Sequence, residues 1–376
     1  MLRSFGVLAF VACTLLLSAC DTIHSNYRFP SNEPFKATAL NGAYFEVTER
    51  RRLLRITHDK TLLAAVRPPR RCDSEAAPQA PGFLTVPPFY GDRTAYAAAT
   101  VSLRKFQTLL SDMAEFYFVT QDGSYARCVA QVLESWANKD ALLYFERSSG
   151  RQAWYDAVWT TVSAGFAYSI VRNDPGLQAK SRQIIDDWLN KVTKKHLSIS
   201  GGPRDCCNNH SYWRGLEAAI VGVVTNDRAM FSAAVETYRH ALASIDKNGG
   251  LPLEMARGER AIHYQNFAIL PLVHIAEIAA QQGEDLYTVT VDGKSLQSAV
   301  GFLLAAIHDP RLVETFTDKR QDLSFLDQRG ELNWMEPYNA KFSDRRIEAL
   351  LASRRPVIHR YAGGNSTLYF YRPRAG

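Results

Sequence analysis

The sequence predicts an all-α protein, either an incomplete α/α toroid of stacked helical hairpins or a large helical bundle. Apolar residues recur at helical spacing, with few breaks, from about Thr94 onward. Turns rich in glycine and proline separate these stretches, so consecutive long helices run outward and back. Strand signals are few, and the best is the short stretch Thr367–Tyr371. No internal linker is visible, which indicates one helical domain.

The first twenty residues have the pattern of a bacterial export signal. Arg3 precedes the apolar run Phe5–Leu17, which is too short to cross a membrane as a helix. The residues that follow, Ser18-Ala19-Cys20, resemble a lipoprotein processing site, with residues 1–19 removed and a lipid on Cys20. Ordinary signal cleavage beside an incidental cysteine is the alternative. Both routes predict a periplasmic protein, and the first anchors it to the membrane through Cys20.

Residues 20–90 form a second region, which we expect to be irregular because it contains eight prolines. The helical domain then spans residues 91–376. Its predicted helices are Tyr96–Val119, Ser124–Ala137, Ala153–Val171, Gln178–Val192, Ser211–Val224, Met230–Ile245, Ile262–Gln281 and Leu296–Ala306.

Composition excludes several classes of protein. Hydrophobic residues make up 46% of the chain and charged residues 22%, which is ordinary for a globular protein and unlike a disordered, collagenous or polytopic membrane chain. The net charge of +6 suits a polyanionic partner, but it is far below that of a nucleic-acid-binding tail. A slightly basic enzyme without a charged partner is equally consistent with this net charge.

Four cysteines lie beyond the export signal: Cys72, Cys128, Cys206 and Cys207. An even number in an oxidising compartment predicts two disulfides, and three pairings are possible. A zinc site is less favoured, because no second cysteine or histidine lies at ligand spacing. We therefore expect no metal.

Two polar clusters are candidates for chemistry. Asn209 and His210 open a predicted helix, where exposed backbone N–H groups favour anions. Arg257 and Tyr264 are seven residues apart and so share one face of a helix, while Arg260 and Tyr264 form an i,i+4 pair. Each cluster also has a purely structural interpretation, as a capping turn or as a tyrosine packed under an arginine.

A third cluster is Trp334-Met335-Glu336-Pro337-Tyr338. Its two aromatic side chains could form a platform on which a sugar stacks, or they could belong to the core.

Together these motifs resemble the alginate lyases of polysaccharide lyase family 5. The chain has Asn-Asn-His-Ser-Tyr-Trp at 208–213, Arg257 follows His210 by 47 residues, and Tyr264 follows seven later. The resemblance runs from about Pro87 to the C-terminus. It implies an α/α toroid with a deep cleft, a single-chain enzyme without cofactor, and alginate, an anionic uronic-acid polysaccharide, as its partner.

The resemblance also implies residue roles. Asn209 and Arg257 match the pair that neutralises the uronate carboxylate, His210 the histidine beside them and Tyr264 the catalytic tyrosine. Further substrate contacts are expected at Trp213, Arg260, His263, Trp334, Tyr338 and Arg360. The family often has a lysine in a lid loop near Pro87–Arg93, and this chain has none there. Bonds between Cys206 and Cys207 and between Cys72 and Cys128 are implied as well.

The chemistry explains these residue types. A lyase removes the C5 proton of a 4-linked uronate and expels the C4 oxygen, so cationic and hydrogen-bonding groups must stabilise the adjacent carboxylate. In mannuronate the C5 hydrogen and the C4 oxygen lie on the same face of the sugar ring, so a single tyrosine can act first as the base and then as the acid. We expect Arg257 and a cationic His210 to favour the Tyr264 phenolate.

Three alternatives stay open. The substrate could be another polyuronate, such as polyglucuronate. A glycoside hydrolase needs two carboxylates ~5–9.5 Å apart, and the chain supplies many acids without singling out a pair. The candidates are Asp140, Glu146, Asp156, Asp186, Asp187, Glu217 and Glu254. A non-catalytic periplasmic polysaccharide-binding protein is the third alternative.

Overall fold

The computed structural model describes residues 44–73, 77–147, 151–201 and 207–373, and this part of the chain contains fifteen α-helices, five short 3₁₀-helices and one two-stranded ribbon. The first seven helices are α1 (Val47–Ile56), α2 (Lys60–Ala65), α3 (Arg93–Ala99), α4 (Val101–Thr120), α5 (Gly123–Ala137), α6 (Gln152–Val171) and α7 (Ala179–Leu197). The others are α8 (Asn209–Val224), α9 (Arg228–Ser244), α10 (Pro252–Met255), α11 (Ala261–Gln281), α12 (Leu296–His308), α13 (Met335–Phe342), α14 (Arg345–Leu351) and α15 (Ser366–Phe370). The ribbon pairs β1 (Ile358–His359) with β2 (Gly364–Asn365) in antiparallel register.

The long helices form two layers. Helices α4, α6, α8 and α11 pack side by side as an inner layer, while α5, α7, α9 and α12 connect them on the outside. This is the α/α toroid that the sequence predicted. Seven of the eight helices predicted from periodicity are confirmed, and the one predicted at Tyr96–Val119 is divided at Thr100 into α3 and α4.

Burial follows this layering. Helix α6 is apolar on nearly every side and buried along almost its whole length, as an inner helix requires. Helix α7 instead presents an apolar stripe that includes Ile185, Trp188 and Leu189 and keeps its charged residues outside. Helices α8 and α9 approach closely at Gly215, where an added Cβ would lie 2.7 Å from Thr237 Cγ2.

The segment before the toroid is more regular than expected. Helices α1 and α2 lie inside residues 20–90, in the stretch between Pro34 and Pro68, which contains no proline. Asp59 begins α2 by accepting a hydrogen bond from the Leu62 N–H. The expectation of an irregular segment is therefore wrong for these helices.

The two ends of the described chain pack together. Buried Arg50 on α1 donates to the carbonyl oxygens of Thr367, Leu368 and Tyr371. The strand predicted at Thr367–Tyr371 is wrong, since these residues lie in or next to α15. The Asn365 side chain caps that helix by accepting from the Leu368 N–H.

The export signal and Cys20 lie outside the described residues, so their assignment stays a prediction. Within the described ranges, no helix is both long enough and apolar enough to span a bilayer.

Candidate active site

A cleft of about 1240 Å³ opens where the inner helices begin. Arg104 comes from the start of α4, Tyr155 from α6, His210 from α8 and Tyr264 from α11. Helix N-termini carry partial positive charge and unpaired N–H groups, so their convergence favours an anionic ligand. Side chains add to this bias, because among the described residues six arginines line the cleft and only two carboxylates do, Asp322 and Glu331.

The start of α8 holds Asn209 in a fixed orientation. The Asn208 side chain caps the helix by accepting from the His210 N–H at 3.0 Å. The Asn209 backbone N–H and side-chain amide both donate to the carboxylate of Glu254, at 2.6 and 2.9 Å. Glu254 is fully buried, and this burial raises its pKa to about 7. Arg257 Nε lies 3.9 Å from the same carboxylate.

His210 lies in the cleft against an aromatic wall. Its ring stacks on Tyr155 at a centroid distance of 3.5 Å. Burial, together with the nearby guanidinium group of Arg257, lowers the pKa of His210 well below its usual value. The imidazole is therefore neutral in the free protein at pH 7, and the expectation of a cationic His210 is wrong.

Tyr264 is hydrogen-bonded and protonated. Its hydroxyl lies 2.8 Å from the hydroxyl of Tyr90, and the Arg257 guanidinium lies 4.5 Å from the centre of its ring. Burial and the Tyr90 hydrogen bond raise the pKa of Tyr264 above its ordinary value, and Arg257 opposes this only in part. The expectation that its surroundings favour the phenolate is therefore also wrong for the free protein.

The structure brings seven of the predicted site residues together. Besides the four assigned to catalysis, the cleft is lined by Arg260, His263 and Arg360. Arg260 covers the Tyr90 ring at 4.2 Å, and His263 stacks on Phe325 with ring centroids 5.2 Å apart.

Three predicted sugar contacts are wrong. Trp213 is buried beneath the cleft against Phe267 and Tyr361. Trp334 has no exposed surface, and its indole N–H donates to Asn266 Oδ1 at 2.8 Å. Tyr338 is also buried and packs edge-on against Trp334. All three side chains belong to the core, Trp213 on α8, Tyr338 on α13 and Trp334 directly before α13.

Sequence reasoning missed several residues of the cleft. Tyr155, Trp159 and Tyr361 line it, with Trp159 and Tyr361 stacked 5.6 Å apart. The signal available for Tyr155 and Trp159 was their position at the start of a predicted helix. Tyr90 lies in the segment Pro87–Arg93, where we looked for a lid lysine, and its hydroxyl contacts that of Tyr264. For Glu254, no feature separated this acid from the others in the chain.

One predicted disulfide is confirmed. Cys72 and Cys128 are bonded, with their Cα atoms 6.1 Å apart. The predicted bond between Cys206 and Cys207 involves Cys206, which lies outside the described residues, and it stays a prediction.

A helical toroid with an arginine-lined cleft at the inner helix N-termini suits a lyase that acts on an anionic polysaccharide, and similarity to known proteins shows the class, a polysaccharide lyase. The alginate lyase family model matches residues 67–313. The chain belongs to the alginate lyase family.

Individual relatives agree with this assignment. The chain is 30% identical to a polysaccharide lyase of Stenotrophomonas maltophilia, over 72% of this chain and 79% of that protein. It is 32% identical to an alginate lyase of Pseudomonas syringae, over 56% of each chain. Among solved structures, alginate lyase A1-III from Sphingomonas species A1 is 33% identical and superposes with a TM-score of 0.85, over 92% of this chain and 100% of that one.

Proposed function

We propose that the protein is an alginate lyase that cleaves poly(β-D-mannuronate) by β-elimination and releases unsaturated oligosaccharides. The observation that carries this proposal is the placement of Asn209, His210, Arg257 and Tyr264 in one cationic cleft. The related alginate lyase A1-III has been solved complexed with a tetrasaccharide, in a fold that superposes on this one with a TM-score of 0.86. That complex supports an oligosaccharide as the ligand of the matching cleft here.

Neutralising the uronate carboxylate is the first task of the site. Removal of the C5 proton places a second negative charge on the carboxylate and C5, so donors that strengthen as this charge develops lower the barrier. Arg257 supplies a guanidinium group with several donors. Asn209 supplies a neutral amide, which Glu254 prevents from rotating away. His210, neutral at rest, donates one ring N–H.

Proton transfer is the second task, and we assign it to Tyr264. The tyrosine takes the C5 proton and returns it to O4, while the C4–O4 bond breaks and a C4–C5 double bond forms. Because the phenol is protonated at rest, its own proton must leave first. Tyr90 is half exposed and hydrogen-bonded to Tyr264, which connects the phenol with solvent.

A second assignment of the base is supported by one observation. The neutral imidazole of His210 already has a free electron pair at pH 7, because its pKa is lowered. In this scheme His210 takes the C5 proton and Tyr264 serves only as the acid that protonates O4. The two schemes differ in what a Tyr264→Phe variant still does at C5.

The carboxylates favour a lyase over a glycoside hydrolase. Of the acids considered from the sequence, Glu217 is buried in a pair with His196 at 2.7 Å, and Glu254 is buried beneath Asn209. None of the seven acids lines the cleft. The carboxylates that do line it, Asp322 and Glu331, sit among arginines and the partly exposed His263.

We further propose that the protein acts as a monomer in the periplasm, anchored through a lipid on Cys20. The support for the location is the sequence pattern of residues 1–20. Loss of membrane association in a Cys20→Ala variant, with activity kept in the soluble periplasmic fraction, is the expected result.

The test of the reaction is a panel of polymannuronate, polyguluronate and polyglucuronate, assayed for the absorbance of unsaturated ends. We expect activity on polymannuronate above the other two. Tyr264→Phe should lower kcat by about 10²–10⁴-fold while polymer binding persists. Tyr144→Phe is the matched control, since this exposed tyrosine does not line the cleft. Saturated reducing ends as the only product would contradict the proposal.

Deuterium exchange at C5 distinguishes Tyr264 from His210 as the base. If Tyr264 is the base, the Tyr264→Phe variant in D₂O should leave the C5 hydrogen of mannuronate unexchanged. If His210 is the base, the same variant should exchange C5 without cleaving the chain, and His210→Ala should stop this exchange.

A further inference from the structure

A second groove adjoins the cleft on the outer surface of α4. It has a volume of about 440 Å³ and lies between this helix and the extended segment 70–73. Val101, Lys105, Thr108 and Asp112 line it, at the spacing of one helical face. From Val101 to Met113 this face extends about 18 Å, at the ~1.5 Å rise per residue of an α-helix.

Arg104 joins the groove to the cleft. It lines both, so the cleft and the groove lie on either side of this one side chain. The Arg104 guanidinium donates to Thr100 Oγ1 and to the Ala97 carbonyl oxygen, both at 2.5 Å. These bonds hold the cation at the boundary between the two sites.

The groove continues the positive charge of the cleft. In the part of the chain that the structure describes, four cationic side chains line it, Arg70, Arg71, Arg104 and Lys105, against two carboxylates. Of these carboxylates, Asp112 is bound by Arg70 and lies 2.7 Å from a guanidinium nitrogen of Arg67. Arg71 and Lys105 are exposed and therefore accessible to an anionic ligand.

The segment that carries Arg70 and Arg71 is fixed to the toroid. The disulfide between Cys72 and Cys128 ties it to α5. On the other side, Arg67 forms a bidentate ion pair with buried Glu115 on α4, with the shortest distance 2.5 Å. The charges of the groove are therefore in place before a ligand arrives, which lowers the entropic cost of binding.

We infer that this groove is a distal binding site for the part of an acidic polysaccharide that extends beyond the catalytic cleft. A polyuronate carries one carboxylate per sugar, so a chain that passes Arg104 meets Arg71 and Lys105 in sequence. The inference rests on the proposed function for the identity of the polymer. It predicts that long chains bind more tightly than short ones, while the chemical step is the same for both.

The test compares two double variants with the same change of net charge. Arg71→Glu/Lys105→Glu reverses the charge of two side chains in the groove. Arg55→Glu/Lys180→Glu reverses the charge of two exposed side chains outside both sites. Polymannuronate and a mannuronate tetrasaccharide are the substrates, and thermal unfolding checks that each variant is folded. The groove variant should raise KM for the polymer about fivefold or more, as expected for the loss of two exposed charge pairs.

Three results support the inference together: a polymer KM above that of the control variant, unchanged kcat, and unchanged kcat/KM for the tetrasaccharide. The effect should shrink at 1 M salt, where the Debye length is ~3 Å. A polymer KM equal to the control, or an equal loss on the tetrasaccharide, would overturn it. If the wild-type chain forms no unsaturated product, the proposed function fails, and calorimetric binding of polymannuronate to the two variants decides the groove separately.

Discussion

Glu254 is the residue through which the reaction should acquire its pH dependence. Its carboxylate accepts two hydrogen bonds from Asn209, and this arrangement requires the ionised form. Burial raises the pKa of Glu254 to about 7, so the bonds are complete only above that pH. Below it, the protonated carboxyl presents an O–H toward one of the Asn209 donors. We therefore predict that kcat/KM falls as the pH drops through about 7.

The Glu254→Gln variant gives this prediction a magnitude. Glutamine has the same shape but one acceptor oxygen, so an NH₂ group faces one of the two Asn209 donors. A buried donor without a partner costs ~1–3 kcal/mol. If the Asn209 amide is displaced and the free energy of the transition state rises by this amount, kcat/KM falls about 5- to 150-fold. The variant should also lose the acidic limb, because no titrating group is left at this position.

The assay is the pH profile of kcat/KM on polymannuronate between pH 5 and 9, for the wild type, Glu254→Gln and the exposed control Glu284→Gln. The control should reproduce the wild-type profile. An acidic limb that persists in Glu254→Gln would refute the reasoning and assign the limb to another group. A lower unfolding temperature with unchanged kinetics would refute it too, because Glu254 would then be structural only.

Three further predictions concern stability. Trp334→Phe should lower the free energy of unfolding by about 1–3 kcal/mol, because the Asn266 oxygen loses its buried donor, and should leave KM unchanged. Cys72→Ser should cost about 4 kcal/mol in denaturant unfolding, since the bond to Cys128 closes a loop across 56 residues. Burial raises the pKa of Asp156 to about 6, so between pH of about 4 and 6 the folded chain holds a proton that the unfolded chain has released. The free energy of unfolding should therefore fall as the pH rises through this range. Asp156→Asn should flatten this fall, as measured by denaturant unfolding at several pH values.

The helices could be predicted from the sequence because the toroid repeats a simple pattern. Outer helices such as α7 carry an apolar stripe, and inner helices such as α6 are apolar throughout. Both patterns are local properties of the chain. The C-terminal element was predicted wrongly because its residues favour a strand, whereas the contacts from Arg50 that stabilise α15 come from the other end of the described chain.

The site residues could be predicted only where the intervals between them along the sequence match those of a known family. The intervals that join His210, Arg257 and Tyr264 predicted that these residues act together, and the structure places all three in one cleft. Trp334 and Tyr338 were assigned to the substrate because their composition suits sugar stacking, and composition does not reveal which face of a helix is buried. Glu254 was missed for the opposite reason, since its role depends on a contact with Asn209 across 45 residues.

The protonation states follow from the same architecture that forms the cleft. Inner helices in a toroid are buried up to their first turn, so side chains that project from these turns lose most of their hydration. Loss of hydration favours the neutral forms of His210 on α8 and Tyr264 on α11, and burial beneath Asn209 has the same effect on Glu254 of α10. The positive charge of the cleft then comes from arginines and helix N-termini, which keep their charge at any working pH. A uronate carboxylate that enters this cleft meets cations that hold it and neutral groups that are free to exchange protons. In this arrangement Tyr264→Phe should lower kcat more than it changes KM, whereas loss of the Arg257 guanidinium should affect both, because this group binds the carboxylate before and during proton transfer.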